Sequence, residues 1–148
     1  MPDVFASAVM PADADTVWAV VRDFNGLPAW HPAIKQSRIE DGRPADAVGC
    51  IRNFQLTDDA TIRECLVALD DLDRRQRYTI LESPMALTDY LADLQVLPIT
   101  DSYQSMVVWQ ARFRCAEQDA ETLSALVRDG VFRTGLTALK QHFQADEI

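Results

Sequence analysis

Residues 119–143 read DAETLSALVRDGVFRTGLTALKQHF, and apolar side chains recur along them mostly at intervals of three or four positions. This spacing is typical of an amphipathic α-helix that buries one face. The pattern predicts a single C-terminal α-helix over these residues, roughly 37 Å long. Its apolar face comprises Leu123, Leu126, Val127, Val131, Phe132, Leu136, Leu139 and Phe143.

Two glycines, Gly130 and Gly135, lie inside this predicted helix. Each costs about 1 kcal/mol relative to alanine, because glycine loses more backbone freedom when it becomes helical. Two explanations for tolerating that cost stay open. Either the helix needs room on its inner face, or its backbone packs closely against a sheet.

The region between residues 34 and 115 carries the signals of β-strands, with β-branched and aromatic residues separated by turn residues. The connections between the segments are short, which predicts an antiparallel meander. A further strand is predicted at 4–9, before Met10-Pro11. The other predicted strands are 34–40, 48–56, 60–69, 76–82, 87–97 and 103–115.

A second amphipathic helix is predicted over residues 14–24, with Asp13 as its N-cap and Asn25-Gly26 at its end. Residues 27–32 contain two prolines and are predicted to form a short helical turn or loop. The order of elements favours an α+β protein in which an antiparallel sheet lies against one long helix. A cavity can form between the two.

The composition limits the classes of function. The 148 residues are enough for one core, and we expect a single domain over 1–148. The net charge of −9 disfavours nucleic acid and anionic lipid surfaces, which proteins bind mainly through Lys and Arg. No apolar run reaches the roughly 18 residues that span a bilayer, so no membrane insertion is expected. The N-terminus lacks a signal-peptide pattern, and the expected location is the cytoplasm.

No metal or cofactor site is predicted. Cys50, Cys65 and Cys115 form no C-x-x-C pair, and the chain has two histidines, His31 and His142. The sequence shows no glycine-rich phosphate loop, dinucleotide fingerprint or Ser-His-Asp arrangement. The cysteines are expected to behave as small buried hydrophobes.

Five motifs occur in a fixed order along almost the whole chain. They are ADTVWAVVRDF at 14–24, WHP at 30–32 with Ile34 and Ser37 after it, VGCIR at 48–52, TIRECL at 61–66 with LDD at 69–71, and SP at 83–84 through DY at 89–90 with VVW at 107–109. Together they resemble the START-like (SRPBCC) superfamily, and within it the polyketide cyclase/dehydrase and lipid transport group. The resemblance implies a helix-grip fold, in which a curved seven-stranded antiparallel sheet wraps on a long C-terminal α-helix, with short helices after the first strand.

The resemblance leaves the activity open, because the group includes cyclases, dehydratases and lipid carriers, and related plant proteins are hormone receptors. Family members often carry glycine where this chain has Asp58-Asp59, and Leu-Pro where it has Met85-Ala86-Leu87. In this fold both positions lie in loops at the pocket rim. The departures are consistent with a ligand different from that of near relatives.

The predicted cavity residues follow from the resemblance and from strand alternation. In START-like proteins the residue at the position of Glu64 points into the cavity, and side chains two positions away share its face. Trp30 is expected at the entrance. This mostly apolar and aromatic set is typical of a small-molecule site. The predicted ligand-binding residues are Trp30, Arg52, Phe54, Ile62, Glu64, Leu66, Tyr78, Ile80, Tyr90, Ala92, Trp109, Val127 and Val131.

Glu64 and Arg52 are the charged candidates in this set. A buried carboxylate and a buried guanidinium are each costly unless paired, so the two are expected to form an ion pair or to bind a polar ligand group together. A purely structural pair is the alternative. His31 titrates near neutrality and is a second catalytic candidate. Its place between Trp30 and Pro32 favours turn capping or strand anchoring instead.

Two classes of function fit these observations. The leading hypothesis is a non-catalytic carrier or sensor for a small hydrophobic metabolite or lipid. The alternative is a cyclase or dehydratase acting on a polyketide-like substrate, with Glu64 or His31 as general base and with Arg52 and Tyr90 stabilising an enolate oxygen. The expected partner is a small hydrophobic ligand, and the chain is predicted to be a monomer or a homodimer.

Overall fold

Seven β-strands form one sheet in the computed structural model, which describes residues 1–145. They are β1 (Asp3–Met10), β2 (Ile34–Ile39), β3 (Ile51–Leu56), β4 (Thr61–Asp70), β5 (Arg75–Glu82), β6 (Leu87–Ile99) and β7 (Gln104–Cys115). Every neighbouring pair is antiparallel, and the order across the sheet is β1-β7-β6-β5-β4-β3-β2. The first two strands of the chain therefore lie at opposite edges.

Short helices connect these two edges. Helix α1 (Ala14–Val21) begins at Asp13, whose carboxylate accepts a hydrogen bond from the backbone N–H of Thr16. It ends three residues before the predicted limit, where the N–H of Arg22 bonds the carbonyl of Trp18 and caps the helix. The 3₁₀ turn Leu27–Ala29 follows, as the two prolines of this segment led us to expect.

The C-terminal helix, α2 (residues 120–145), is confirmed, but its middle is not α-helical. It consists of an α-helical part, Ala120–Ala125, a π-helical part, Leu126–Arg133, and a second α-helical part, Thr134–Ala145. A 3₁₀ turn, Glu117–Asp119, precedes it. Among residues 1–145 no helix has both the length and the apolar composition needed to cross a membrane.

Alternate residues of the central strands face the helices and form the core. On β7 the buried series is Val107, Trp109, Ala111 and Phe113. Four irregularities interrupt the strand pairing, at Ile34/Gln36, Arg63/Glu64, Leu66/Ala68 and Thr88/Leu91. Bulges bend the strands that carry them, which helps a sheet to curve around a helix. The predicted helix-grip fold is confirmed.

The start of β3 corrects the predicted strand 48–56. Residues 48–50 precede the strand as a turn, because Gly49 has a positive φ of 93° that only glycine adopts readily. The N–H of Gly49 bonds the carbonyl of Leu66, so this turn is still fixed to β4. Regular pairing with β4 begins at Ile51, opposite Cys65.

Candidate functional site

A pocket of about 330 Å³ lies between the sheet and the π-helical part of α2. Strands β2 to β7 each contribute to its wall, and helix residues 126–131 cover it. Asp58, Pro84 and Met85 come from the loops that follow β3 and β5, and Leu126, 46% exposed, lies on the helix side. A depression of about 500 Å³ on the outer face of the sheet is lined by charged residues such as Asp3, Arg77 and Arg112 together with apolar ones.

Most of the predicted ligand-binding residues lie in this wall. Those that do are Arg52, Phe54, Ile62, Glu64, Tyr78, Ile80, Tyr90, Trp109, Val127 and Val131. The resemblance oriented Glu64, and strand alternation then placed the other strand residues, because the pleat points every second residue towards α2. Val127 and Val131 came from the inner face of the predicted helix. The segment before β2 gave no such periodic signal, so Leu27 and Ala33 were missed, and Ile34, the first residue of β2, was not assigned to the pocket. The rim positions Asp58 and Met85 were indicated by the loop departures in the sequence.

Three predicted residues lie outside the wall. Trp30 is 6% exposed and packs on Trp109 with ring centroids 5.9 Å apart, so it fills the core instead of standing at an entrance. Leu66 and Ala92 face the same side of the sheet as the pocket. Both are paired with Tyr78 on β5 and are buried. Each lies two positions beyond the last wall residue of its own strand, which is Glu64 for Leu66 and Tyr90 for Ala92. The face was predicted correctly for these two, but the length of the cavity along the strands was not.

The charged end of the pocket is an ion pair between Arg52 and Glu64, which lie directly opposite each other on β3 and β4. Arg52 donates from Nε to Glu64 Oε1 over 2.9 Å, and its Nη2 lies 2.7 Å from the same oxygen. Arg52 Nη1 donates to the carbonyl of Phe24 over 3.0 Å. The two side chains are 2% and 8% exposed, so both charges are largely removed from water. Each charge offsets the cost of burying the other.

Aromatic rings surround this pair. The guanidinium carbon of Arg52 lies 4.0 Å from the ring centre of Phe24 and 4.5 Å from that of Tyr78, within the range of a cation–π contact. The hydroxyl of Tyr78 accepts a hydrogen bond from Trp109 Nε1 over 3.0 Å. Burial raises the pKa of the Tyr78 and Tyr90 hydroxyls, which keeps both neutral in the physiological range. Phe24, which was predicted as the end of α1, thus lies over the pocket's cation.

Burial also acts on the two acid–base candidates. It raises the pKa of Glu64, while the charge and hydrogen bonds of Arg52 oppose that rise. It lowers the pKa of His31 as the largest influence, and the positive charge of Arg52 acts in the same direction. His31 is therefore neutral near pH 7.

His31 uses both ring nitrogens to hold the backbone. Nε2 lies 2.8 Å from the carbonyl oxygen of Val131, so it must carry the proton and donate. Nδ1 accepts a hydrogen bond from the N–H of Ala33 over 3.2 Å. The ring lines the pocket, but neither nitrogen is free to take a proton from a ligand. This geometry favours the anchoring role over the role of general base.

The two helix glycines have different surroundings. A Cβ atom on Gly135 would lie 2.6 Å from His31 Cδ2 and 2.9 Å from Trp109 Cζ3, so the helix backbone touches these rings directly. Gly130 lines the pocket, and a Cβ there would approach one atom, Leu126 Cδ1, at 3.3 Å. Close packing therefore accounts for Gly135, and room on the inner face accounts for Gly130.

The comparison with protein families identifies the chain. Residues 1–144 match the family described as polyketide cyclase / dehydrase and lipid transport. The protein belongs to this family. The resemblance found in the sequence motifs is thereby confirmed over almost the whole chain. Within residues 1–145 no group of three or more His, Cys, Asp or Glu side chains is arranged to hold a metal ion.

Solved structures of similar proteins agree with this membership. The protein XoxI from Bacillus cereus is 31% identical, with a TM-score of 0.89 over 100% of this chain and 99% of that chain. A protein from Thermobifida fusca is 32% identical, with a TM-score of 0.89 over 98% and 95% of the two chains. Norcoclaurine synthase from Thalictrum flavum, in complex with dopamine and hydroxybenzaldehyde, is 16% identical, with a TM-score of 0.76 over 97% and 87%. This last likeness is one of fold.

Proposed function

We propose that this family member binds a small, largely apolar molecule between its sheet and its C-terminal helix, as a carrier or a sensor. The observation that supports this proposal is the composition of the pocket wall, in which aliphatic and aromatic side chains surround one ion pair. The volume of about 330 Å³ is near the lower end of the range for ligand pockets, which favours a compact ligand. The proposed contacts are Arg52, Phe54, Ile62, Glu64, Tyr78, Ile80, Tyr90, Trp109, Val127 and Val131.

Native mass spectrometry of freshly purified protein, with solvent extraction of bound material, tests the proposal directly. A copurified apolar metabolite near one-to-one stoichiometry is the expected result. Binding of Nile red, a neutral apolar dye, gives a second readout for protein that carries no ligand. Protein without a bound metabolite that also takes up no dye would overturn the proposal.

Two neighbouring residues provide a matched pair of variants. Ile80 lines the pocket, whereas Leu81 is 50% exposed and outside the wall. Ile80→Trp should therefore fill the cavity and abolish dye binding, while Leu81→Trp adds the same side chain on the other face and should bind dye like the wild type. Equal dye binding by the two variants would place the dye elsewhere on the protein.

A catalytic role is the second candidate, and one observation favours it. Glu64 lines the pocket, and burial raises its pKa towards the range useful to a general base. In a cyclase or dehydratase it would remove a proton alpha to a substrate carbonyl, beside Arg52. Turnover of a polyketide-like substrate that Glu64→Gln abolishes, with affinity for the substrate retained, is the result expected of an enzyme. The cytoplasmic location and the oligomeric state stay predictions.

A further inference from the structure

The Arg52–Glu64 pair presents its two members unequally to the pocket. Arg52 uses Nε and Nη2 on Glu64 and Nη1 on the carbonyl of Phe24. Its side chain is 2% exposed, with the rings of Phe24 and Tyr78 over the guanidinium. A ligand therefore reaches little of this cation.

Arg52 contacts one of the two carboxylate oxygens of Glu64. Both contacts from Arg52 fall on Oε1, and among residues 1–145 no donor hydrogen-bonds the second oxygen, Oε2. The side chain lines the pocket and is 8% exposed. An ionised carboxylate is acceptor-only and has about four lone-pair sites, so Oε2 retains the capacity to accept a hydrogen bond.

The charges of the wall do not favour an anion. Within residues 1–145, Arg52 is the one Lys or Arg side chain that lines the pocket, and Glu64 already balances its charge. Asp58, at the rim, adds a negative charge, and His31 is neutral with both nitrogens engaged. A ligand carboxylate or phosphate would thus lose its hydration without gaining a free cation.

From this asymmetry we infer the chemistry of the buried end of the ligand, a step that rests on the proposed function. We propose that the pocket selects uncharged molecules that carry a hydroxyl or similar donor, which bonds Glu64 Oε2. Glu64 determines this specificity. Arg52 acts as a positioning residue that holds the carboxylate in place and keeps the buried end of the pocket electrically neutral.

Three bicyclic probes of the same skeleton and substitution position test this selection. Naphthol is neutral with a donor, methoxynaphthalene is neutral without a donor, and naphthoate is an anion. Isothermal titration calorimetry of the wild-type protein at neutral pH should give a Kd for naphthol lower by about tenfold or more than for either of the other two. A hydrogen bond to a charged acceptor is strong enough for that ratio.

Substitution of the carboxylate should weaken the preference for naphthol over naphthoate. In Glu64→Gln the charge of Arg52 is no longer balanced, so naphthoate should gain about tenfold or more relative to naphthol. The control is Glu82→Gln, which removes a carboxylate that is 63% exposed and pairs with Arg63 outside the pocket. It should keep the wild-type order of the three probes.

The outcomes separate this inference from the function on which it rests. If the probes bind the wild type with equal affinity, or naphthoate binds most tightly, the donor-selective site is wrong although binding itself stands. If none of the three binds and Nile red is also excluded, the proposed function fails and this inference fails with it. The wild-type comparison decides between them even if Glu64→Gln does not fold.

Discussion

At Gly135 the C-terminal helix lies too close to the sheet for a methyl group. Its ideal Cβ position is 2.6 Å from His31 Cδ2 and 2.9 Å from both His31 Nε2 and Trp109 Cζ3. Ring atoms in a packed core have little room to move away. The residue thus fixes how closely α2 approaches the sheet, and through His31 it fixes the loop before β2.

We expect Gly135→Ala to lower the free energy of unfolding by about 1–3 kcal/mol, the usual range for overpacking a core. The matched control is Gly130→Ala, where the new Cβ meets only the end of the Leu126 side chain. Its stability should stay within about 1 kcal/mol of wild type, in the stabilising direction, because alanine favours helix. Urea unfolding of both variants checks this, and equal losses would contradict the close contact at Gly135.

The neutral state of His31 has a consequence for stability. Its pKa in the folded protein is below its ordinary value of 6.5, so the unfolded chain binds a proton where the folded protein does not. His31 therefore has no effect well above pH 6.5. As the pH falls below that value, it lowers the free energy of unfolding by up to about 1.4 kcal/mol per pH unit, until the folded form is also protonated.

His31→Gln should remove this part of the pH dependence. Glutamine does not titrate, and its amide N–H can still donate towards the carbonyl of Val131. The free energy of unfolding, measured with urea from neutral to mildly acidic pH, should fall more steeply with decreasing pH for the wild type than for the variant. Parallel curves for the two proteins would show that His31 does not carry a lowered pKa.

At the scale of the element, the π-helical part of α2 is the feature that the sequence analysis did not predict. The buried apolar side chains of the helix step by four from Leu123 to Val127, by five to Phe132, by four to Leu136 and by three to Leu139. The step of five is the signature of a wider turn. It was hidden because Val131 and Phe132 are both apolar and were assigned to one continuous α-helical face.

The wider turn has local causes and a local effect. The N–H of Thr134 bonds the carbonyl of Asp129, five residues earlier, and its hydroxyl bonds the same oxygen over 2.8 Å. The carbonyl of Val131 accepts a hydrogen bond from the same N–H of Thr134 and another from His31 Nε2. It also brings Val127, Gly130 and Val131 into the pocket wall.

The step of five contains one residue more than an α-helical step of four. Deleting one residue tests whether this extra residue is confined to the π-helical turn. Deletion of Gly130 reduces the step from Val127 to Phe132 to four, so the apolar faces on both sides stay aligned. Deletion of Thr137, an exposed residue in the regular part, rotates Leu139 and Phe143 by about 100°. We expect the second deletion to cost several kcal/mol, as for loss of large buried side chains, and the first to cost less than half as much. Urea unfolding measures both, and similar losses would contradict the interpretation.

At the scale of the whole molecule, the pocket occupies one end of a continuous core, and wall residues such as Phe54, Tyr78 and Trp109 belong to that core. Within residues 1–145 the pocket wall includes no residue of β1 and no residue of α2 beyond Val131. Leu136, Leu139 and Phe143, further along α2, are 2%, 0% and 3% exposed and belong to the continuous core. Beyond Val131 the helix thus packs into the core alone, whereas residues 126–131 also cover the cavity.

The same division explains what sequence reasoning predicted. Period-two and helical patterns predicted the strands, the long helix and their buried faces, whereas the family resemblance implied the helix-grip fold and oriented Glu64 into the cavity. The ten wall residues followed from the two together. The patterns do not show where a buried face meets empty space and where it meets another side chain. That difference separates Ile62 and Glu64, in the wall, from Leu66 on the same strand and face.

Truncation of a side chain away from the pocket and of one in its wall should therefore lower the free energy of unfolding by different amounts. Leu139→Ala removes a side chain with no exposure and should lower the free energy of unfolding by about 2–5 kcal/mol. Ile80 lines the pocket, so Ile80→Ala enlarges an existing space and should cost about 1 kcal/mol. Nile red affinity, measured where both variants are folded, should change in Ile80→Ala and stay at the wild-type value in Leu139→Ala. Equal losses of stability, or equal effects on the dye, would contradict a cavity that Ile80 lines and Leu139 does not reach.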